Sequence, residues 1–400
     1  MWILWAAAGC AITPHSPAAD FSASLSAGYA FDSNAFELAG IEGDPIVDGQ
    51  SGGRDDSSRT LAAGVSGLFG GNGPTQLRLN ATFSRVESGH FEALDRNDYT
   101  FGGTLDWRPS RAFDATLEYT QDRLPLSLAD LGITRTTQQR TRQAQATLRV
   151  RPTPRWQIGA EPARVDYEAP LPAAPRFELH ENSGTATLDY LGAGRVVPGL
   201  SVTGTRGKYT GIEDATRYRQ RTLQGTLSYQ ATGFSSFDLA LGHTRRTTSL
   251  INPSADPDIL AREGTDSALT GGLNYHRQLS VKTGIDITAY RSFQHYDAGV
   301  NTSVGTGLNF SLNWAPTAKL AFNLGSALNW STIQDVRDAA LGGTGERKDL
   351  VRSFSFTSTY QATRMVSLRA HYERRIRRSE VWVDQFNNTR AGLELTVRID

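Results

Sequence analysis

Alternation with a period of two runs through this chain from residue 21 to residue 399, and helical periodicity is hard to find anywhere. A strand sends successive side chains to opposite faces, so this pattern commits each segment to a two-faced ribbon. Leu320, Phe322, Leu324, Ser326, Leu328 and Trp330 interleave with Ala321, Asn323, Gly325, Ala327 and Asn329. Leu77/Leu79/Ala81/Phe83 alternate with Arg78/Asn80/Thr82/Ser84, and Leu393/Leu395/Val397/Ile399 with Glu394/Thr396/Arg398. One face is greasy and the other small or polar. The implied strands are about 10 to 14 residues long, whereas strands in soluble sandwiches and propellers average about 5 to 6.

The turns form a second regularity. An aromatic or apolar residue is followed by a tight polar segment and then by the next alternation. Instances are Trp107-Arg-Pro-Ser-Arg, Val150-Arg-Pro-Thr-Pro-Arg-Trp156, Tyr229-Gln-Ala-Thr-Gly, Tyr275-His-Arg-Gln-Leu, Trp314-Ala-Pro-Thr-Ala and Tyr360-Gln-Ala-Thr-Arg. Gly70-Gly-Asn-Gly-Pro74 and Gly192-Ala-Gly-Arg195 bring the short turns to eight, spaced about 37 to 46 residues apart. Between them lie longer polar connections rich in Gly, Asp and Pro: Asp32 to Ser58, Arg123 to Gln138, Tyr167 to Arg176, Leu250 to Glu263 and Thr332 to Lys348.

Short turns on one side and long loops on the other predict an all-β, transmembrane, antiparallel up-and-down barrel with periplasmic turns and extracellular loops. Eight turns pair sixteen strands. A first strand (Phe21 to Phe31) and a last (Asn388 to Ile399) make about 18, an even number that returns both termini to the periplasmic side. Closure has a physical cause: in hydrocarbon every backbone N–H and C=O must find a partner, which an edgeless sheet provides. The greasy residues flanking the short turns are Trp107, Phe113, Trp156, Tyr190, Tyr229, Phe237, Tyr275, Trp314 and Tyr360, an expected periplasmic aromatic girdle. The competing reading makes them core aromatics of a soluble β protein.

Composition narrows the classes further. The longest apolar run, Trp2 to Ile12, is too short for a membrane helix of roughly 20 residues. The 17 Phe, 13 Tyr and 7 Trp exceed what a disordered chain carries. Forty-one basic and 41 acidic residues cancel, and nucleic-acid binding normally leaves a basic excess. Residues 1–19 are expected to be a secretory signal peptide, with WILWAAAGCAI as apolar region and Ser16-Pro17-Ala18-Ala19 before the cut. Its basic n-region is missing. Gly9-Cys10 as a lipoprotein site is the alternative, without the usual Leu three residues earlier. Residues 20–400 are then a single barrel domain, integral to the bacterial outer membrane and free of cysteine.

No catalytic signature is present: no G-x-S-x-G, no H-E-x-x-H, no Walker loop, and no His at metal-ligand spacing. The chain is expected to be neither an enzyme nor a cofactor protein, although a hydrolase assembling its site from distant strands is an alternative. Parity assigns to the lumen Arg78, Arg149, Arg246, Lys282, Arg369 and Arg398, together with Asp106, Asp114, Glu118, Asp189, Asp238, Asp286 and Glu394. That interior is hydrated and of mixed charge, suited to a polar solute exchanging hydrogen bonds with the wall. Equally, the opposite charges could pair across strands and stiffen it. Arg217/Arg219/Arg221, Arg245/Arg246 and Arg374/Arg375/Arg377/Arg378 cluster toward the loops. They suit either anionic polysaccharide or the phosphates of outer-membrane lipopolysaccharide, with the latter favoured.

Gly28-Tyr-Ala-Phe-Asp32-Ser-Asn34-Ala-Phe36 resembles the opening "Gly-x-x-Tyr/Phe-Asp-x-Asn-x-Phe" of the exopolysaccharide-biosynthesis outer-membrane β-barrel family, also described as β-barrel porin type 2. Asn97-Asp98-Tyr99, Gly103-x-Leu105-x-Trp107-x-Pro109-Ser110 and Glu118-Tyr119 are similar to its second hairpin region. The resemblance implies passage of capsular polysaccharide or exopolysaccharide across the outer membrane, beside periplasmic export proteins. A general or substrate-selective diffusion porin is the alternative. An inward-folded loop would mark it, Asp32 to Ser58 being the candidate. An adhesin or plugged structural barrel is a further one. The terminal Val397-Arg398-Ile399-Asp400 departs from the aromatic ending of many outer-membrane barrels.

Overall fold

The computed structural model describes residues 20–35, 37, 46–47, 50–51, 53–70, 73–125, 138–171, 174–210, 215–251, 263–295, 302–334, 346–380 and 385–399. Residues 1–19, the expected signal peptide, and much of the expected long connections lie outside the described residues. In chain order the strands are β1 (Asp20–Asp32), β2 (Ile46–Val47), β3 (Gln50–Ser51), β4 (Asp56–Phe69), β5 (Thr75–Ser88), β6 (Arg96–Ser110), β7 (Phe113–Pro125), β8 (Gln138–Thr153), β9 (Trp156–Leu171) and β10 (Ala174–Tyr190). They continue with β11 (Val196–Thr210), β12 (Thr216–Thr232), β13 (Ser235–Leu250), β14 (Gly264–Ser280), β15 (Thr283–His295), β16 (Thr302–Thr317), β17 (Leu320–Gln334), β18 (Glu346–Gln361), β19 (Val366–Ser379) and β20 (Phe386–Ile399).

Apart from the small β2–β3 hairpin, these strands form one 18-stranded sheet in which each pairs with its neighbour in sequence. The sheet closes because β1 pairs with β4 on one side and β20 on the other, from Ala23 opposite Ile399 to Asp32 opposite Arg390. Every pairing is antiparallel, so the barrel is of the up-and-down type and has no edge strand. The barrel strands run 13 to 17 residues, at and beyond the upper end of the expected length. At about 3.3 Å rise and roughly 40° tilt even the shortest outspans an apolar band of ~25 Å.

Most of the short turns share one chemistry, which explains the aromatic-x-Pro/Ala-Thr/Ser pattern. In six of them a hydroxyl accepts from the amide two residues on: Ser110 from Ala112, Thr153 from Arg155, Thr232 from Phe234, Ser280 from Lys282, Thr317 from Lys319 and Thr363 from Met365, at 3.1–3.4 Å. Register shifts before five of these turns, at Trp107/Ser110, Val150/Thr153, Gln230/Thr232, Gln278/Ser280 and Trp314/Thr317, add the bulge that tightens them. Each turn then offers a carbonyl to the next hairpin: Pro74 to Arg108, Ala112 to Arg151, Arg155 to Leu191, Arg195 to Gln230, Phe234 to Gln278, Lys282 to Ala315, Lys319 to Gln361 and Met365 to Arg398. These N–H···O=C bonds of 2.6–2.9 Å stitch a ring around the periplasmic rim.

Two expectations are corrected here. Lys282, assigned to the lumen, sits in the β14–β15 turn, where its Nζ donates to the Pro316 carbonyl at 2.6 Å. Parity has no meaning past a strand end. Tyr167 to Arg176 is strand rather than long loop, with only residues 172–173 between β9 and β10. Its prolines suggested a break, but the ladder absorbs them through a register shift between Ala174 and Phe177.

The outer face is apolar. Leu25, Leu61, Val65, Leu223, Leu241 and Leu269 share one parity across the register and each keep more than half of their surface exposed. The girdle residues sit on this face beside the turns, in ring pairs such as Trp107–Phe113 at 5.3 Å, Trp156–Tyr190 at 5.0 Å, Phe237–Tyr275 at 4.5 Å and Trp314–Phe322 at 5.2 Å. Tyr229 stacks on Phe237, and Tyr360 lies opposite Leu320 at the same level. A closed sheet with a greasy outside, a polar inside and an aromatic belt is built for hydrocarbon, and the chain is an integral outer-membrane β-barrel. Leu241→Arg, near mid-height of the lipid face, is expected to cost about 2–4 kcal/mol, and Ser228→Arg on the inner face far less. Reversible urea unfolding in lipid vesicles, followed by tryptophan fluorescence, checks both.

Candidate functional site

The inner wall is the surface that can do chemistry or transport, and alternation builds it from every second residue. Arg78, Asp106, Asp114, Arg149, Asp189, Asp238, Asp286, Arg369, Glu394 and Arg398 all fall on its periplasmic half, and Glu118 near mid-height. Opposite charges meet across strands there. Arg78 is 3.6 Å from Asp106, Arg151 is 3.5 Å from Asp114, and Arg369 is 4.0 Å from Glu394. Asp106 accepts from Thr116 at 2.9 Å and Asp189 from Gln157 at 3.4 Å. His276 Nδ1 is 2.7 Å from Asp286 Oδ1, and Asn313 reaches Asp286 Oδ2 at 3.5 Å and pairs with Asn323 at 2.6 Å. Pairs this exposed contribute about 0–1 kcal/mol each, so they orient the wall more than they stabilise it.

The extracellular half is different, because on two arcs its inward side chains are buried. On β9 to β12, Tyr167, Phe177, Tyr209 and Tyr218 form a continuous aromatic stripe with centroid spacings of 5.7–5.8 Å, joined by Leu179. Gly207 lies opposite Tyr218, and a Cβ there would collide with the ring, so the glycine is what lets the phenol lie flat on the wall. Arg246, assigned to the lumen, is 2% exposed, with its guanidinium carbon 3.9 Å from the Tyr218 ring centroid, while the Tyr218 hydroxyl donates to Glu181.

Half the circumference away, β18 to β20 and β1 carry an ionic wall. Arg377 Nη2 donates to Asp349 Oδ2 at 2.7 Å, and both residues are 3% exposed. Arg375 lies 5.3 Å from the Phe386 ring. It also holds Glu37 at 3.0 Å, although Glu37 belongs to the β1–β4 connection and Arg375 to the inner face of β19, two strands from β1. The path of that connection is fixed locally. Asn34 N donates to Asp32 Oδ1 at 3.0 Å in an Asx turn, Asn34 Nδ2 to the Asn387 carbonyl at 3.4 Å, and Ser33 N to the Thr389 carbonyl at 2.9 Å. The chain therefore turns inward over the wall on leaving β1, and Glu37 adopts a positive φ of 52° in doing so. Asp32 and Asn34 of the opening motif act here as turn formers.

Sequence reasoning did not assemble these two walls. Tyr167, Phe177, Tyr209 and Tyr218 carried a signal, since each is an aromatic on the polar parity of its strand. The Glu37–Arg375 pair carried none, because 338 residues separate its members. Among the described residues no group of three His, Cys, Asp or Glu side chains could hold a metal ion.

No family model matches the chain, and no curated protein matches it. Solved structures with similar folds include the copper transporter OprC, at 13% identity and TM-score 0.45 over 89% of this chain; the present chain spans 61% of its length. Acinetobacter baumannii OccAB4 is 11% identical with TM-score 0.46, covering 95% of this chain and 98% of that one. Pseudomonas aeruginosa OccK2 (OpdF) is 14% identical with TM-score 0.46, at 95% and 98% coverage.

Proposed function

We propose that this barrel is a substrate-selective diffusion channel for small polar solutes. The observation that carries this reading is Glu37, whose carboxylate extends from the β1–β4 connection over the inner wall at the mouth and meets the inward-facing Arg375 two strands away. Connections folded into a barrel narrow it, and the inward Tyr218 and Arg377 walls at the same end are almost wholly buried. A barrel of this strand number is wide enough for an aqueous passage, so selectivity must come from what occupies its mouth. Below the mouth, solutes meet carboxylates, guanidinium groups and amides in alternation, a wall that replaces hydration without a deep trap for either sign of charge. Transport is passive, with direction set by the concentration gradient. The chain's own residues supply the constriction and the hydrogen-bonding wall.

The polysaccharide conduit implied by the Gly28 to Phe36 resemblance needs a clear bore through the mouth, and directionality from synthesis or periplasmic partners. Liposome swelling separates the two readings. Reconstituted protein is expected to admit mono- and disaccharides and exclude long glucans, and admission of long glucans would establish the conduit instead. Glu37→Gln, which removes the tie to Arg375, is expected to raise single-channel conductance in planar bilayers and to admit larger sugars; an unchanged conductance would remove the mouth from the mechanism. Asp106→Asn combined with Asp286→Asn is expected to shift the reversal potential under a salt gradient toward anion selectivity, since the wall loses negative charge and keeps Arg78.

A further inference from the structure

The outer face carries a second site, independent of the channel reading. Arg206 and Lys208 of β11, Arg217, Arg219 and Arg221 of β12, and Arg245 of β13 all point outward and are exposed. The register sets like charges directly opposite one another: Arg206 against Arg219, Lys208 against Arg217, Arg221 against Arg245. Cβ atoms in such pairs stand about 5 Å apart, and like charges there repel. Among the described residues the neighbouring outward carboxylates do not relieve this. Asp166 is held by Arg164 at 2.9 Å and by His180 at 2.7 Å, Glu178 lies 3.7 Å from His180, and the β14 side presents Thr265 and Ser267. Among the described residues Arg217 Nε donates to the neutral Ser249 hydroxyl, at 3.1 Å.

Position identifies what would neutralise them. Counting eleven residues up β12 from Thr232 at about 3.3 Å rise and 40° tilt puts Arg221 about 28 Å above the periplasmic rim, just past the ~25 Å apolar band. Directly beneath the cations lie exposed Val202, Leu223, Leu241 and Leu269. Beside them, outward Gly204 of β11 pairs with Gly184 of β10, and a Cβ on either would meet nothing within 4 Å, so the wall is recessed there. Cations over a greasy face with a recess at the boundary complement an amphiphile whose phosphates sit at the hydrocarbon edge and whose headgroup is bulky.

We propose that this patch of β11–β13 binds the phosphorylated sugar headgroup of an outer-leaflet glycolipid, with Arg206, Arg219 and Arg221 clasping its phosphates by charge-assisted hydrogen bonds. The test uses the full barrel, purified in mild detergent, with folding verified by its heat-modifiable electrophoretic mobility. Lipopolysaccharide is offered intact and dephosphorylated, alongside phosphatidylglycerol, with millimolar inorganic phosphate as competitor. Intact lipopolysaccharide is expected to bind, and Arg206→Gln/Arg219→Gln/Arg221→Gln to weaken it about tenfold or more. Dephosphorylation is expected to weaken wild-type binding similarly, while inorganic phosphate fails to compete. Arg85→Gln, removing an outward cation already paired with Glu87 at 2.7 Å, is expected to change nothing. Because the triple variant relieves repulsion, it should unfold no more easily than wild type in lipopolysaccharide-free detergent, and the single Arg219→Gln should show a smaller loss of binding. Equal binding by triple variant and wild type, undiminished binding of dephosphorylated lipid, displacement by phosphate alone, or equal affinity for phosphatidylglycerol would each overturn the assignment.

Discussion

The pairing of β1 with β20 is the constraint on which the other features depend. Hydrocarbon offers no partner to a backbone N–H or C=O, and each unsatisfied group costs several kcal/mol. Nothing short of complete closure lets eighteen strands sit in a bilayer. Closure in turn fixes the register, from Ala23 opposite Ile399 through to Asp32 opposite Arg390, and so decides which side chains look in and which look out. A slip of one residue anywhere would turn a row of leucines toward water and a row of Ser, Thr and Asp toward lipid. The ring of turn carbonyls bonded to the next hairpin explains how the periplasmic rim holds that register around the circumference.

A closed sheet of this size cannot fill its own interior with its wall residues, and the protein meets that excess of space differently at its two ends. Toward the periplasm the wall is lined by exposed ionic and amide pairs, such as Arg78 with Asp106 and Asn313 with Asn323. Toward the outside it is buried, with Tyr218 and Arg246 on one arc and Arg377 and Asp349 on the opposite one. The Arg377–Asp349 pair, at 3% exposure, has surrendered its hydration and depends on its 2.7 Å geometry. Such pairs are poor sources of stability and good sources of fixed shape.

Period-two parity made the wall legible in the sequence. It assigned Arg78, Asp106, Asp286 and Glu394 to the inner face because each stands one step from a leucine or isoleucine that must face lipid. The same rule failed at Lys282, where it was carried into a turn. The turn chemistry was visible as a recurring motif, yet its cause, a hydroxyl accepting from the amide two residues on, is a property of the folded backbone. Arg246 marks the boundary of what parity can do: its direction was legible, but its cation–π contact with Tyr218 depends on the lateral register of β12 against β13. Glu37 with Arg375 lay beyond any local signal, because barrel closure is what brings the start of the chain to the end.

One geometric fact links the inner aromatic stripe to the outer cations. The strands are longer than the bilayer requires, and the surplus lies on the extracellular side because the girdle anchors the periplasmic ends. Where strands emerge from hydrocarbon, their two faces are freed from the greasy-out, polar-in rule. On β12 the outward residues become Arg217, Arg219 and Arg221, while the inward residue between the first two is Tyr218. Polarity has inverted along a single continuous strand. A soluble β-sheet would show no such switch, since neither face changes solvent along its length. The inversion therefore marks the height at which the membrane ends, and it places the aromatic stripe inside and the basic patch outside at the same level.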